Sequence, residues 1–363
     1  MKPIVTLLFM WMTIVVVHAQ ENTQSCSFEE SQKEYYKMNP KALNAALKFE
    51  EKVKTEARLK NMSVQMAGEK YIVPVVFHVY GTDWNNGDGV PQTPVTDERV
   101  KEALEKINED FKGFNDAVDN RFANIEGSMD IEFRLAQVDP DGNTTSGIIY
   151  HEYREGFGLN GTNDDEIARY AWDNYKYFNV HLQIILKSGS RSNSGIAWFP
   201  NESMSDEGTA RVVYNGRYVI YDPPASSLTH EFGHFFGLDH TFAGGCVSGA
   251  DNGDKVGDTP PTVSGAASTG PDTCSTDAQN CFGEYINYQN HMDYNPCESM
   301  FTAGQVTRME SFMQHPARVT LWQDQNLIET GINTDLGPRV LFTYQDRNDS
   351  DFYKFMNLIE SFE

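Results

Sequence analysis

Between Tyr71 and Tyr80 the chain is almost continuously apolar, with Val73, Val75, Val76, Phe77 and Val79 forming the pattern of a fully buried strand. His78 within that run reads as a structural residue. From Thr96 to Phe114 the period changes to that of a helix, with Val100, Leu104, Ile107 and Phe111 on one face. Met129 to Gln137 reads as a strand, Ile167 to Phe178 as a second helix and Val180 to Leu186 as another strand. Ile196 to Phe199 and Val212 to Tyr214 read as edge-strand material, open to an extended ligand that adds a strand. A helix is expected to start at Ser226 or Ser227, after Asp222-Pro223-Pro224 stops the preceding run, with Leu228, Phe232 and Phe235 as its buried stripe. Gln305, Arg308, Met309 and Phe312 mark a closing helix, and Leu321 to Thr330 the end of the folded unit. Alternating helices and strands predict an α/β (α+β) fold, a mixed, twisted sheet with two long helices across it.

The two ends have a different texture. Met1 to Ala19 has Lys2, an apolar run from Ile4 to Val17 and small residues before Gln20, which predicts a secretory signal peptide over 1–19. Read instead as an anchor, the apolar run is shorter than a bilayer requires. Residues 20–60 are polar and charged, with Leu43, Ala46, Leu47 and Phe49 spaced as on one or two amphipathic helices able to lie over a cleft. Arg58 and Lys60 offer basic residues for a cut. The main domain is expected over 61–328, and 329–363 as a tail too short to fold alone.

A formal net charge of -23 argues against nucleic-acid binding, which needs a basic surface. The chemistry lies in His230-Glu231-Phe232-Gly233-His234-Phe235-Phe236-Gly237-Leu238-Asp239-His240. On a helix, His230 and His234 lie on one face and can both reach a single ion at about 2 Å. Gly237 allows a bend with positive φ that returns His240 as third ligand. A lone histidine is more often a hydrogen-bonded surface or core residue, but the joint pattern matches a zinc site with an open fourth position. Glu231 stands beside the ion without ligating it, placed to accept a proton from zinc-bound water as that water attacks a carbonyl carbon. Affinity order alone leaves cobalt or nickel as alternatives to zinc.

With Asn290-His291-Met292-Asp293-Tyr294 as a Met-turn, the chain resembles the metzincin zinc metalloproteases. Within them it is similar to the pappalysin family, through His240-Thr241-Phe242, the run Gly253 to Pro260, and Met300-Phe301-Thr302 with Gln305 and Arg308-Met309. Ile131 to Gln137, Asp139-Pro140-Asp141-Gly142 and Gly147-Ile148 extend the likeness, which covers roughly residues 70 to 328. The resemblance implies two subdomains with the zinc helix at their junction, the lower one loop-rich and disulfide-stabilised, and protein or peptide substrates crossing the cleft. It implies Tyr294 as a donor to the oxyanion and Met292 as a hydrophobic floor beneath the metal. It also implies a structural calcium at Asp254, Val256, Asp258 and Thr259, where acidic residues among glycines otherwise mark a solvated loop. Only Asn295 and Pro296 separate Tyr294 from Cys297, shorter than the acidic segment of several relatives, so a preference for a basic residue after the cut does not carry over.

Four cysteines fall between Cys246 and Cys297, as suits an oxidising compartment, and spacing alone permits three pairings. The resemblance implies Cys246 with Cys281 and Cys274 with Cys297; the competing order is Cys246 with Cys274 and Cys281 with Cys297. Cys26 is left over in the segment 20–60. Its thiolate is a strong zinc ligand that would close the fourth position, making the segment a propeptide; an unpaired thiol or an attachment outside the chain is the alternative. The expected protein is a secreted, zymogenic zinc endopeptidase, monomeric and off the membrane. The alternative is a catalytically silent binding or adhesion protein of the same fold.

Overall fold

The computed structural model describes residues 26, 28–60, 70–81, 95–114, 118–152, 164–183, 187–188, 191–192, 194–220, 224–246, 253–262, 279–294 and 297–332. The signal peptide, Cys274 and all but the first few residues of the expected tail lie outside them. Two helices open the described chain, α1 (Phe28–Met38) and α2 (Pro40–Lys60). Then come β1 (Tyr71–Tyr80), α3 (Asp97–Lys112), β2 (Glu126–Gly127), β3 (Ile131–Leu135), β4 (Ile148–His151), α4 (Asp164–Tyr170) and β5 (Phe178–Gln183). The chain continues through β6 (Lys187–Ser188), β7 (Arg191–Ser192), β8 (Gly195–Ala197), α5 (Glu202–Asp206), β9 (Val212–Asn215) and α6 (Ser227–Phe235). It closes with β10 (Phe301–Thr302), α7 (Ala303–Met313) and α8 (Asp324–Glu329).

The main sheet runs β3-β1-β5-β9-β8, with β4 also paired to β1. Tyr71 to Val75 pair with β3, and Phe77 to Tyr80 with β4. β3, β4, β5 and β9 are all joined in parallel, and only β8 runs antiparallel to its neighbour. The sheet is therefore mixed and mostly parallel. Val73, Val75, Phe77 and Val79 of β1 share a core with Val180 and Leu182 of β5, α3 and α6. The other face carries Val76, His78 and Tyr80, under Tyr177, Ile167 and Tyr170. That double cover explains why β1 lacks alternation. His78 is fully buried and bonded through Nε2 to Asn179 Oδ1 at 3.0 Å, the structural role expected of it.

α3 begins at Thr96, whose hydroxyl accepts from Arg99 N, and buries Val100, Leu104, Ile107 and Phe111. α7 opens with a full capping box between Thr302 and Gln305. Three expectations need correction. The helix expected over Ile167 to Phe178 ends at Tyr170, because Asp173 takes the Tyr175 N–H at 2.9 Å and starts a turn into β5. The Val212 to Tyr214 strand is interior, flanked by β5 and β8. Neither serine caps α6 through its side chain: Ser226 makes no such bond, and the Ser227 hydroxyl meets Tyr214 Oη at 2.6 Å.

Of the two helices expected across the sheet, α3 runs 16 residues and α6 only nine. Gly237 has φ 94°, so the chain leaves α6 through a glycine turn in which Leu238 N bonds to Gly233 O at 3.0 Å. Phe232 and Phe235, both almost fully buried, pack on Phe178 and hold α6 on the sheet. Each such ring contributes roughly 1.5–3 kcal/mol by its burial. Between α6 and β10 the described residues form no helix or strand. Cys246 and Cys281 form a disulfide with Cα atoms 6.2 Å apart, which excludes the competing order, and Cys297 is also disulfide-bonded.

Candidate active site

Three imidazoles meet where α6 and the bend after it converge. Nε2 of His230 lies 3.0 Å from that of His240 and 3.1 Å from that of His234, and the last pair is 3.2 Å apart. Their outward nitrogens fix the tautomers. His230 Nδ1 is 2.7 Å from His291 O and His234 Nδ1 is 2.6 Å from Leu238 O. A carbonyl can only accept, so both Nδ1 atoms carry the proton and both Nε2 atoms turn lone pairs inward. His240 Nδ1 meets the Glu29 carboxylate, which likewise accepts. Burial first, then the neighbouring imidazoles, holds His230 and His234 far below the usual histidine range.

Inward lone pairs on His230 and His234, 3.1 Å apart with no proton between them, repel one another unless a cation lies among the three rings. Tetrahedral ligation at about 2.05 Å sets nitrogens roughly 3.3 Å apart, close to the spacing found, so the donor set fits zinc. Cys26 stands beside them: one potential ligand atom from each of Cys26, His230, His234 and His240 falls within 4.8 Å of the others, all buried. Among the described residues this is the one such group.

Glu231 is fully buried, and its Oε2 accepts from Cys26 Sγ at 3.4 Å. Burial pushes its carboxyl well above the usual carboxylate range, so its ionised form calls for a neighbouring positive charge. Burial, reinforced by Glu231, likewise pushes the Cys26 thiol up. Tyr294 Oη accepts from Cys26 N at 3.0 Å and donates to Cys26 O at 2.9 Å. Burial raises its phenol too, which stays a donor. The residues singled out for chemistry therefore share one site, and residue 26 occupies it.

Met292, fully buried, lies against Gly233 on the underside of α6, where a Cβ would collide with its sulfur. The turn is tied to the bend by Thr241 N to Met292 O at 3.1 Å and Thr241 Oγ1 to Asp293 Oδ2 at 2.8 Å. The loop expected to bind calcium divides in two. Asp254 Oδ2 and Thr259 Oγ1 are buried and lack a well-formed hydrogen bond among the described residues, and burial pushes the Asp254 carboxyl up to about 7 against the opposing pull of the Val256 N–H and the nearby Thr259 hydroxyl. Asp258 is committed elsewhere, taking Thr302 Oγ1 at 2.7 Å and Gly304 N at 2.8 Å at the start of α7. Val256 is buried beside them.

Sequence reading missed several residues around the site. Phe28 stacks on the His234 ring at 4.0 Å and 8°. Glu29 reaches His240. Glu50 of α2 forms a fork with Arg308 at 2.6 and 2.9 Å, while Arg308 Nε donates to Gly237 O at 2.8 Å. Phe28 and Glu29 follow Cys26 closely, but nothing in their spacing singles them out from the charged residues around them.

The family described as pregnancy-associated plasma protein-A matches residues 161–314. An extracellular metalloprotease of Neurospora crassa is 36% identical over 148 residues, which are 38% of this chain and 48% of that protein. The chain thus matches about half the length of that relative. One of Verticillium alfalfae is 28% identical over 272 residues, 71% of this chain and 81% of that protein. Among solved structures, a promirolysin mutant of Tannerella forsythia superposes with TM-score 0.62 at 24% identity, covering 86% of this chain and 100% of that one. Mature mirolysin of Tannerella forsythia, in complex with a cleaved peptide, gives TM-score 0.57 at 26% identity over 73% of this chain and 99% of that one. Over residues 161–314 the chain is thus similar to that family, and the fold that carries His230, His234 and His240 is similar to that of mirolysin.

Proposed function

We propose that the protein is a secreted zinc endopeptidase held latent by its own N-terminal segment. One observation carries the reading: three buried Nε2 atoms within 3.2 Å of one another, with the Glu231 carboxylate beside the fourth ligand, Cys26. His230, His234 and His240 would hold the ion. Zinc bound there supplies Lewis-acid chemistry, acidifying a water and polarising a peptide carbonyl. Glu231 takes the proton from the attacking water and delivers it to the leaving amine as the C–N bond breaks. Tyr294 gives its phenolic hydrogen bond to the oxyanion once Cys26 has left. Substrates are peptides, as the mirolysin complex with a cleaved peptide supports, and β8, at the edge of the sheet, would pair with them in extended form.

Latency follows from what Cys26 occupies. Its sulfur takes the fourth ligand position beside Glu231, and its backbone takes both hydrogen bonds of the Tyr294 hydroxyl. The segment 20–60 therefore acts as the propeptide of a main domain over 61–328. Export is supported by relatives named extracellular and by the disulfide. No helix among the described residues is long and apolar enough to cross a membrane. A calcium ion on Asp254 Oδ2, Thr259 Oγ1 and the loop backbone would coordinate two buried oxygens that lack a well-formed hydrogen bond and would order the turn before α7.

Protein purified without added metal is expected to carry one zinc per chain. Once its N-terminal segment is removed, it should hydrolyse casein and stop when 1,10-phenanthroline is added. Stoichiometric zinc with no hydrolysis of any protein substrate by the processed chain would overturn the reading.

A further inference from the structure

The strongest unassigned feature is the seat of Phe28. Its ring is 1% exposed, although it belongs to an N-terminal segment bound across the surface of the main domain. One face lies parallel to the His234 imidazole, 4.0 Å away and 8° from coplanar. Phe199, just past the end of β8, closes the slot at 4.8 Å and 42°, and the His240 ring stands edge-on at 6.0 Å. The Phe199 ring is backed by Phe312 at 6.0 Å and overlooked by Lys255 Nζ at 5.7 Å. Phe199, His234 and His240 all belong to the main domain. The slot is thus shaped for a flat ring by residues that stay when the segment leaves.

Its place along the bound chain is set by Cys26. Residue 26 sits at the centre of the chemistry, and residue 28 fills the slot beyond it, next to the strand a peptide would line. We infer that this slot is a substrate subsite selecting an aromatic side chain, Phe, Tyr or Trp, at one fixed position near the cleaved bond. The inference rests on the endopeptidase reading above. A parallel stack on an imidazole plus a tilted second ring rewards planarity as well as area, so Leu or Met fits less well and Asp or Gly hardly at all. Phe28 is then the occupant that keeps the subsite filled during latency.

Two experiments test this. With the N-terminal segment removed, cleavage of a peptide library should show aromatic residues enriched about tenfold over Gly or Asp at a single position within three residues of the cut. The enrichment should collapse in Phe199→Ala and persist in Phe199→Trp. Absence of aromatic enrichment in an active wild-type protein, or enrichment unchanged in a folded Phe199→Ala, overturns the inference. In the intact chain, alkylation of Cys26 should speed up about tenfold in Phe28→Ala and stay near wild type in Phe28→Trp. Equal rates in all three would show that the slot does not hold a ring, and this readout needs no turnover. A zinc-loaded protein that cleaves nothing yet passes the alkylation test would defeat the endopeptidase reading and leave the aromatic slot standing.

Discussion

Glu29 and His240 are hydrogen-bonded across the seam between the N-terminal segment and the main domain. The other two histidines of the cluster give their Nδ1 protons to backbone carbonyls of the domain itself, those of His291 and Leu238. His240 takes its partner from the segment proposed to depart. An outer carboxylate fixes ring orientation and raises ligand basicity, and losing one typically costs 10–100-fold in metal affinity, on the order of the change expected here. In the intact chain, Glu29→Ala should release zinc to a chelator about 10–100-fold faster, and Glu29→Gln, which can still accept, should release it less fast. Cobalt-substituted protein would report whether the thiolate band of Cys26 survives. If the band persists and zinc loss is unchanged, the Glu29 contact has no part in retaining the metal.

Among the described residues Glu231 is hydrogen-bonded to Cys26 Sγ and to none of the three imidazoles, so its removal is expected to separate chemistry from metal binding. In the processed protein, Glu231→Ala is expected to lower kcat by about 10²–10⁴-fold, the range for losing a general base, with zinc content unchanged. Turnover numbers and metal analysis on one sample decide the matter. Wild-type turnover in the zinc-loaded variant would remove Glu231 from the mechanism.

Arg308 links α2 to the bend before His240, with Glu50 on one side and Gly237 O on the other. Burial opposes ionisation of Glu50, but the hydrogen bonds and charge of Arg308 outweigh it and hold the carboxyl below its ordinary value of 4.5. A depressed carboxylate pKa means that the pair contributes fully above about 4.5 and is lost as pH falls through the depressed value. Grip of the N-terminal segment, followed by Cys26 alkylation, should therefore weaken on acidification below that point. Glu50→Gln should loosen it at neutral pH by about 2 kcal/mol and flatten the acid dependence. An acid profile identical in the two proteins would assign it to other groups.

Gly233 faces the Met292 sulfur with no room for a Cβ. Gly233→Ala should push α6 off the turn and cost roughly 1–3 kcal/mol, read as a lower midpoint of thermal unfolding. A partial return of stability in Gly233→Ala with Met292→Ala would locate the clash. Independent, additive effects of the two substitutions would argue that they do not meet.

Much of this was legible from local pattern. A strand buried on both faces, as β1 is, must be apolar at nearly every position, and its bounds were read as Tyr71 to Tyr80. The convergence of three imidazoles was equally legible, because helix pitch places His230 and His234 together and Gly237 can take φ 94° without strain. The turn after Tyr170 was not, since the apolar residues beyond it keep a helical spacing and only the Asp173 side chain breaks it. The interior place of the Val212 strand was not either, because pairing order depends on contacts distant in sequence.

The sequence by itself determined that this chain could gather three imidazoles around one ion and carry a spare thiol, since both follow from residue type and short-range spacing. Only the tertiary structure decided where the thiol goes and what travels with it. Cys26 lies 205 residues from Glu231 and 268 from Tyr294 along the chain. No periodicity reports on partners so far apart, so the fit of Phe28 on His234 and of Glu29 on His240 emerged only once the segment was packed against the domain.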